Sequence, residues 1–177
     1  MKPEERWVTP QGALIVLRLS HLQDAPALGA LFESFPRADR RLRFHGALNG
    51  FSRTWLESLA GTDQQEHVAL AAWVAGAEDS LIAEARWSVF ESGDAAEFAL
   101  SVAPGWRRRG IATRCVRALV RAASLRGLAR LYGGVLPHNA SMLALMRRCG
   151  FRCRPNGDDP ALLMFETDVE AGSSPTG

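Results

Sequence analysis

A mixed α/β (α+β) fold with a mostly antiparallel sheet is what the sequence predicts, and three observations predict it. Residues 67–75 and 81–90 are strand-length apolar runs joined by the short turn Ala77-Glu78-Asp79, the pattern of an antiparallel hairpin. A third run, 98–103, follows the turn Glu91-Ser92-Gly93-Asp94. A helical period over 111–126 then leads to an apolar run at 130–136. Strand, helix and strand in that order imply a right-handed parallel crossover.

The remaining elements follow in order. Residues 1–12 are polar, with Pro3, Pro10 and Gly12, and read as a flexible N-terminal arm. Residues 13–17, ALIVL, are a buried-strand candidate. Asp24 with Pro26 after it predicts a helix start. Leu28, Leu31, Phe32 and Phe35 then recur at helical spacing, until Pro36 stops the helix. The arginine-rich piece Arg40-Arg41-Leu42-Arg43-Phe44 reads, on its residues, as a solvated helix face with one buried Phe. Residues 51–59 predict another short helix, with Trp55, Leu56 and Leu59 inward. In 111–126, Val116, Leu119, Val120 and Ala123 make one face, Arg114, Arg117 and Arg121 another, and Gly127 is a fitting stop. A short helix over 141–149 turns Met142, Leu145, Met146 and Cys149 inward and ends at Gly150. Two strands, 151–154 and 161–169, close the domain, and 170–177, EAGSSPTG, reads as a disordered tail. The organisation is thus one domain over 13–169 between two loose ends.

Composition narrows the class. At 177 residues, with 47% hydrophobic and 23% charged residues, the chain is of ordinary globular type with enough apolar material for a core. A net charge of +2 is too small to argue for a nucleic-acid partner. The three cysteines have neither disulfide-framework nor zinc spacing, so no metal is expected and a reducing cytoplasm is the simpler setting. The stretch MKPEERWVTPQG lacks the apolar segment of a secretory leader. No apolar run approaches the roughly 18 residues of a membrane span.

The most informative stretch is EFALSVAPGWRRRGIAT, from Glu97 to Thr113. It joins a strand, a basic turn with one glycine, and the start of a helix. The first N–H groups of a helix have no internal partner, and the helix dipole adds partial positive charge there. Such a turn suits a pyrophosphate, and glycine lets the backbone come close to it. The arginines alone would also fit a solvated turn or a nucleic-acid patch. Arg107-x-x-Gly110-x-Ala112 after a strand resembles the acyl-CoA loop of the GNAT N-acetyltransferases, Gln/Arg-x-x-Gly-x-Gly/Ala. HNASMLALMRRCGF resembles the family's second signature, with Asn139 about ten residues before Gly150-Phe151. The segment Arg40-Arg41-Leu42-Arg43-Phe44 is similar, more weakly, to one in the GNAT domains of bacterial protein-lysine acetyltransferases, a likeness that implies a place beside the acceptor groove and contact with substrate.

The resemblance covers roughly residues 13 to 168. It implies a GNAT-like sheet with helices on both faces and a parallel strand-helix-strand at the acyl-CoA site. It implies acetyl-CoA as co-substrate and a primary amine, of a protein lysine or a small molecule, as acceptor, with no nucleic acid or membrane involved and a homodimer left open. Backbone N–H groups from Arg108 through Gly110, Ile111, Ala112 and Thr113 would hold the pyrophosphate, with charge from Arg107, Arg108 and Arg109. Asn139 would touch CoA, unless it is only a turn or N-cap residue, and a backbone N–H near Val102 would polarise the thioester. A lysine amine, with a pKa of about 10.4, needs a base. Glu97, five residues before Val102, occupies the position of the family's catalytic glutamate. The alternatives are an ordinary strand-edge role for Glu97, or Glu84 or His138 as the base. One departure stands out: Met146 falls where many family members carry an acidic Tyr, seven residues after the Asn. A non-catalytic acyl-CoA sensor is therefore the competing reading.

Overall fold

The computed structural model describes residues 4–44, 50–63, 65–76, 80–90 and 93–170. The elements run β1 (Glu5–Val8), β2 (Leu14–Leu19), α1 (Ala25–Glu33), α2 (Arg37–Phe44), α3 (Arg53–Ala60), β3 (His67–Val74), β4 (Leu81–Val89), β5 (Ala95–Val102), α4 (Ile111–Arg126), β6 (Arg130–Val135), α5 (Ala140–Arg148), β7 (Arg152–Pro155) and β8 (Leu163–Asp168). One sheet orders them β1-β2-β3-β4-β5-β6-β8-β7. Its neighbours are antiparallel except β5 and β6, the parallel pair the crossover requires.

Alternation along the strands decides which face meets which helix. In β4, Ala83, Ala85 and Trp87 enter the larger core with Phe98, Leu100 and Val102 of β5. Helix α4 covers that face with Ile111, Cys115, Val116, Leu119 and Ala123. The helix ends where Gly127, at φ 81°, takes a left-handed turn that side chains resist. The opposite face carries Ala71 and packs with Leu81 against α1 and α3 through Leu28, Phe32 and Leu56. Phe32, Phe44, Phe51 and Trp55 form an aromatic cluster that seats α2, with Phe32 and Phe44 edge to face at 5.0 Å.

Three expectations change. The N-terminal segment is not simply an arm: residues 5–8 pair with β2, because Trp7 alternates inward and is only 9% exposed. Glu5 also takes ion pairs from Arg114 and Arg121 of α4, which pins β1 across the core. Asp24 precedes α1 but makes no side-chain cap to it. Its carboxylate instead accepts from the His21 N–H at 2.9 Å and from both Nη atoms of Arg18. Helix α3 starts later than expected, capped by Ser52, whose Oγ accepts from the Trp55 N–H at 3.2 Å. The turn at 77–79, the start of the turn at 91–94 and the tail beyond 170 lie outside the described residues. Among the described residues no helix is long and apolar enough to cross a membrane.

Candidate active site

The site begins where β5 and β6 part. They pair at Ala95↔Arg130, Ala96↔Leu131 and Glu97↔Tyr132, and no pairing follows among the described residues. At Gly133 a Cβ would lie 3.0 Å from the Phe98 carbonyl oxygen and 2.9 Å from its ring. Beyond that point β6 stays with β8, so the inner edge of β5 opens into a cleft of about 890 Å³. The Ala103 N–H donates to Ile82 O of β4 at 2.8 Å. Backbone alternation then turns the Val102 N–H the other way, toward the cleft.

The basic turn closes one end of this cleft. A 3-10 turn, Pro104–Trp106, is followed by Arg108 at φ 59° and Gly110 at φ 80°. Two left-handed residues so close together curl successive N–H groups inward, the geometry of an anion nest. The first intrahelical bond is Arg114 N–H to Gly110 O at 3.2 Å, and no side chain caps α4. Ile111, Ala112 and Thr113 therefore present backbone donors without helical partners, and all three line the cleft with Arg108 and Gly110.

The three arginines separate. Arg107 lines the cleft, but its Nε donates to Val102 O at 3.1 Å and its Nη2 to Asp39 of α2 at 2.9 Å, so it ties the end of β5 to α2. Arg108 stays at the cleft. Arg109 does not line it; its guanidinium lies 4.7 Å above the Trp106 ring. Asn139 lines the far wall with Ser141 and Met142. Its Oδ1 caps α5 by accepting from the Met142 N–H at 3.2 Å, so a ligand contact falls to its amide NH2. The N-cap reading of Asn139 is thus the one its hydrogen bond shows.

A second surface, on the α1–α3 face, is the floor of the cleft's other half. Register places Glu84 opposite Ser101, Arg86 opposite Ala99 and Ser88 opposite Glu97. Asp39, Leu42 and Arg43 of α2 form its wall, so this helix is more than a solvated face. Glu97 is exposed at the cleft and lies in a cross-sheet row with His67, Ser88 and Tyr132. Glu84 is buried, and its Oε1 accepts from Arg43 Nε and Ser101 Oγ, each at 2.8 Å. Burial pushes the Glu84 carboxyl up, but the Arg43 and Arg86 charges outweigh this and hold it below the usual carboxylate range. A carboxylate so held is a structural anion, whereas Glu97 is the acid exposed at the cleft. His138 is exposed and does not line the cleft. Met146 is fully buried, so the position expected for an acidic Tyr points into the core. Among the described residues no group of three His, Cys, Asp or Glu side chains could hold a metal ion.

Sequence reasoning missed Arg86 and the Arg107–Asp39 tie. Arg86 had a signal, since Glu84, Arg86 and Ser88 alternate with Ala83, Ala85 and Trp87. The Arg107–Asp39 pair, 68 residues apart, had none.

A family model described as Acetyltransferase (GNAT) family matches residues 32–151. The chain belongs to this family. Among solved structures, the GNAT domain of S. lividans PAT superimposes with a TM-score of 0.84 at 23% identity, covering 94% of this chain and 97% of that one. A cAMP-binding acyltransferase from Mycobacterium smegmatis matches at TM-score 0.62 and 23% identity, over 98% of this chain. This GNAT chain spans 51% of that protein. The structure of yncA, a putative acetyltransferase from Salmonella typhimurium with acetyl-CoA, matches at TM-score 0.69 and 15% identity, over 91% of this chain and 97% of that one. At these identities the structures establish a shared GNAT fold.

Proposed function

We propose that the protein is an acetyl-CoA-dependent N-acetyltransferase that acts on a primary amine, of a protein lysine or a small molecule, by direct attack in a ternary complex. The observation that carries this reading is the open edge of β5 running into the uncapped N-terminus of α4 at Gly110. A phosphorylated thioester can lie along that line with its pyrophosphate on the Arg108–Thr113 N–H groups. Two GNAT neighbours were solved with coenzyme A and acetyl-CoA, which supports the same ligand here.

In this reading the Val102 N–H donates to the thioester oxygen as negative charge develops on it. Arg107 steadies the strand end that carries this N–H by donating to the Val102 carbonyl. The acceptor nitrogen bonds the acetyl carbon, the carbon–sulfur bond breaks, and the amine proton passes to Glu97 directly or through water. Free thiols have a pKa of about 8.5, so the leaving thiolate is stable enough to depart without a protein acid. Met146 is therefore compatible with turnover, and the sensor reading is not needed to explain it. The cysteines are unpaired, which suits work in a reducing cytoplasm.

The test is calorimetric titration with acetyl-CoA, followed by thiol-release assays with amines. Wild type is expected to bind at micromolar levels. Gly110→Glu is expected to lose binding, because it puts a negative side chain where the pyrophosphate approaches. Glu97→Gln is expected to bind normally and turn over about 100-fold more slowly. Binding without turnover on any amine would favour the sensor.

A further inference from the structure

The floor of the acceptor half holds more buried positive charge than its own anions neutralise at close range. Arg86 projects from β4 opposite Ala99, between the Glu97 and Ser101 positions of β5. Its side chain is only 11% exposed and it lines the cleft. Its bond to Glu84 is long, Nη1 to Oε2 at 3.4 Å. The other oxygen of Glu84 is already taken by Arg43 and Ser101. Two guanidiniums therefore share one buried carboxylate. Arg43, 10% exposed and also at the cleft, keeps its Nη2 buried without a hydrogen-bond partner.

The other charged or titratable groups facing Arg86 do not alter this balance. His67 opposes β4 two residues further along, and burial, then the Arg86 charge, keep its imidazole below its ordinary value, hence neutral. Glu97 sits diagonally, at a strand-pair separation of about 7–8 Å, and is open to solvent. Burial, then the Arg43 charge, push the Arg86 guanidinium down to about 10, which fits a cation short of counter-charge. Ser88 adds a hydroxyl to the floor, and Leu42, Leu59 and Phe90 give the groove apolar walls.

We propose that the acceptor amine carries a carboxylate within a few bonds, and that this carboxylate docks on the Arg86 fork with Arg43 behind it. The inference rests on the N-acetyltransferase reading and deepens it by naming the acceptor's chemical class. An anion on Arg86 places a nearby amine between Glu97 and the Val102 N–H, where the transfer needs it. The carboxylate has two sources: a free amino acid, or an acidic residue beside a lysine in a protein.

The experiment measures kcat/KM with acetyl-CoA for matched acceptors. One arm pairs free amino acids with their carboxamides. The other pairs blocked lysine peptides bearing a neighbouring Asp with the same peptides bearing Asn. In at least one arm the acid is expected to exceed its amide by about 10- to 100-fold, mainly through KM, the range of a charge-assisted hydrogen bond. The arm that responds identifies the source. Arg86→Gln is expected to bring that ratio toward unity, and Arg86→Lys, which keeps Glu84 paired if Gln misfolds, to reduce it partly. Equal use of acid and amide by the wild type overturns the proposal. So does an acid preference that both variants retain, and so does acetyl-CoA binding without turnover of any acid-bearing amine. Failure to bind acetyl-CoA, read separately by calorimetry, removes the transferase reading and this inference with it.

Discussion

Glu84 shows how one buried side chain can tie several elements together. It anchors Arg43 from α2, approaches Arg86 from its own strand and accepts from Ser101 of β5. Its folded pKa lies below the ordinary value, so its stabilising charge is fully present above about 4.3 and lost as pH falls through the folded value. Glu84→Gln is expected to cost about 3 kcal/mol, because two buried guanidiniums lose their anion. It should also flatten the acid side of the stability–pH curve; an unchanged urea midpoint at pH 7 would contradict this. The cysteines give a second residue-scale prediction. Burial pushes the Cys115 thiol up to about 12, whereas Cys153 is exposed. A thiol reagent at pH 8 is expected to label Cys153 within minutes and Cys115 only after denaturation, as peptide mapping would reveal.

At the scale of elements, the proposed acetyl-CoA site concentrates at the start of α4. Side chains satisfy a first-turn N–H group in α3, through Ser52, and in α5, through Asn139, whereas α1 and α4 have no such cap. Helix α4 leaves its first N–H groups open and turns into the helix through Gly110 in a left-handed conformation. A Cβ at Gly110 would meet nothing within 4 Å, so Gly110→Ala strains only the backbone. Its expected cost is about 1 kcal/mol, measured by denaturant melts. Ser52→Ala is expected to cost a similar amount, about 1 kcal/mol, yet leave acetyl-CoA affinity unaltered, since α3 capping is remote from the loop. Equal loss of affinity in both variants would argue against the α4 terminus as the phosphate site.

For the whole molecule, the decisive feature is the parting of β5 from β6. A side chain at Gly133 must push Phe98 and its carbonyl away at the point where pairing ends. Gly133→Ala is expected to overpack this junction by about 1–3 kcal/mol, lowering Tm by several degrees. Because the same junction shapes the cleft, acetyl-CoA affinity should fall as well. Retained affinity at reduced Tm would separate the junction from the site. Cross-core ties hold the frame around this opening: Glu5 of β1 joins Arg114 and Arg121 of α4, and Arg107 joins Asp39 across the cleft.

Local chemistry was legible in the sequence. The 3.6-residue period from Ile111, the stop at Gly127 and the strand-length run at 81–90 are properties of neighbouring residues, which chain order preserves. The strand–turn–helix that opens at Gly110 was readable for the same reason, and it led to the family. The sequence could not disclose that Trp7 draws residues 5–8 into the sheet, since that depends on a partner strand and a helix folded later in the chain. Nor could it separate Arg107, turned toward Asp39, from Arg109, laid on Trp106, because adjacent identical residues differ only in what the fold brings to them. By residue type alone Glu84 and Glu97 were alike, and only the resemblance to the family preferred Glu97. Burial between Arg43 and Arg86 made one a fixed anion, while the other lies exposed at the cleft.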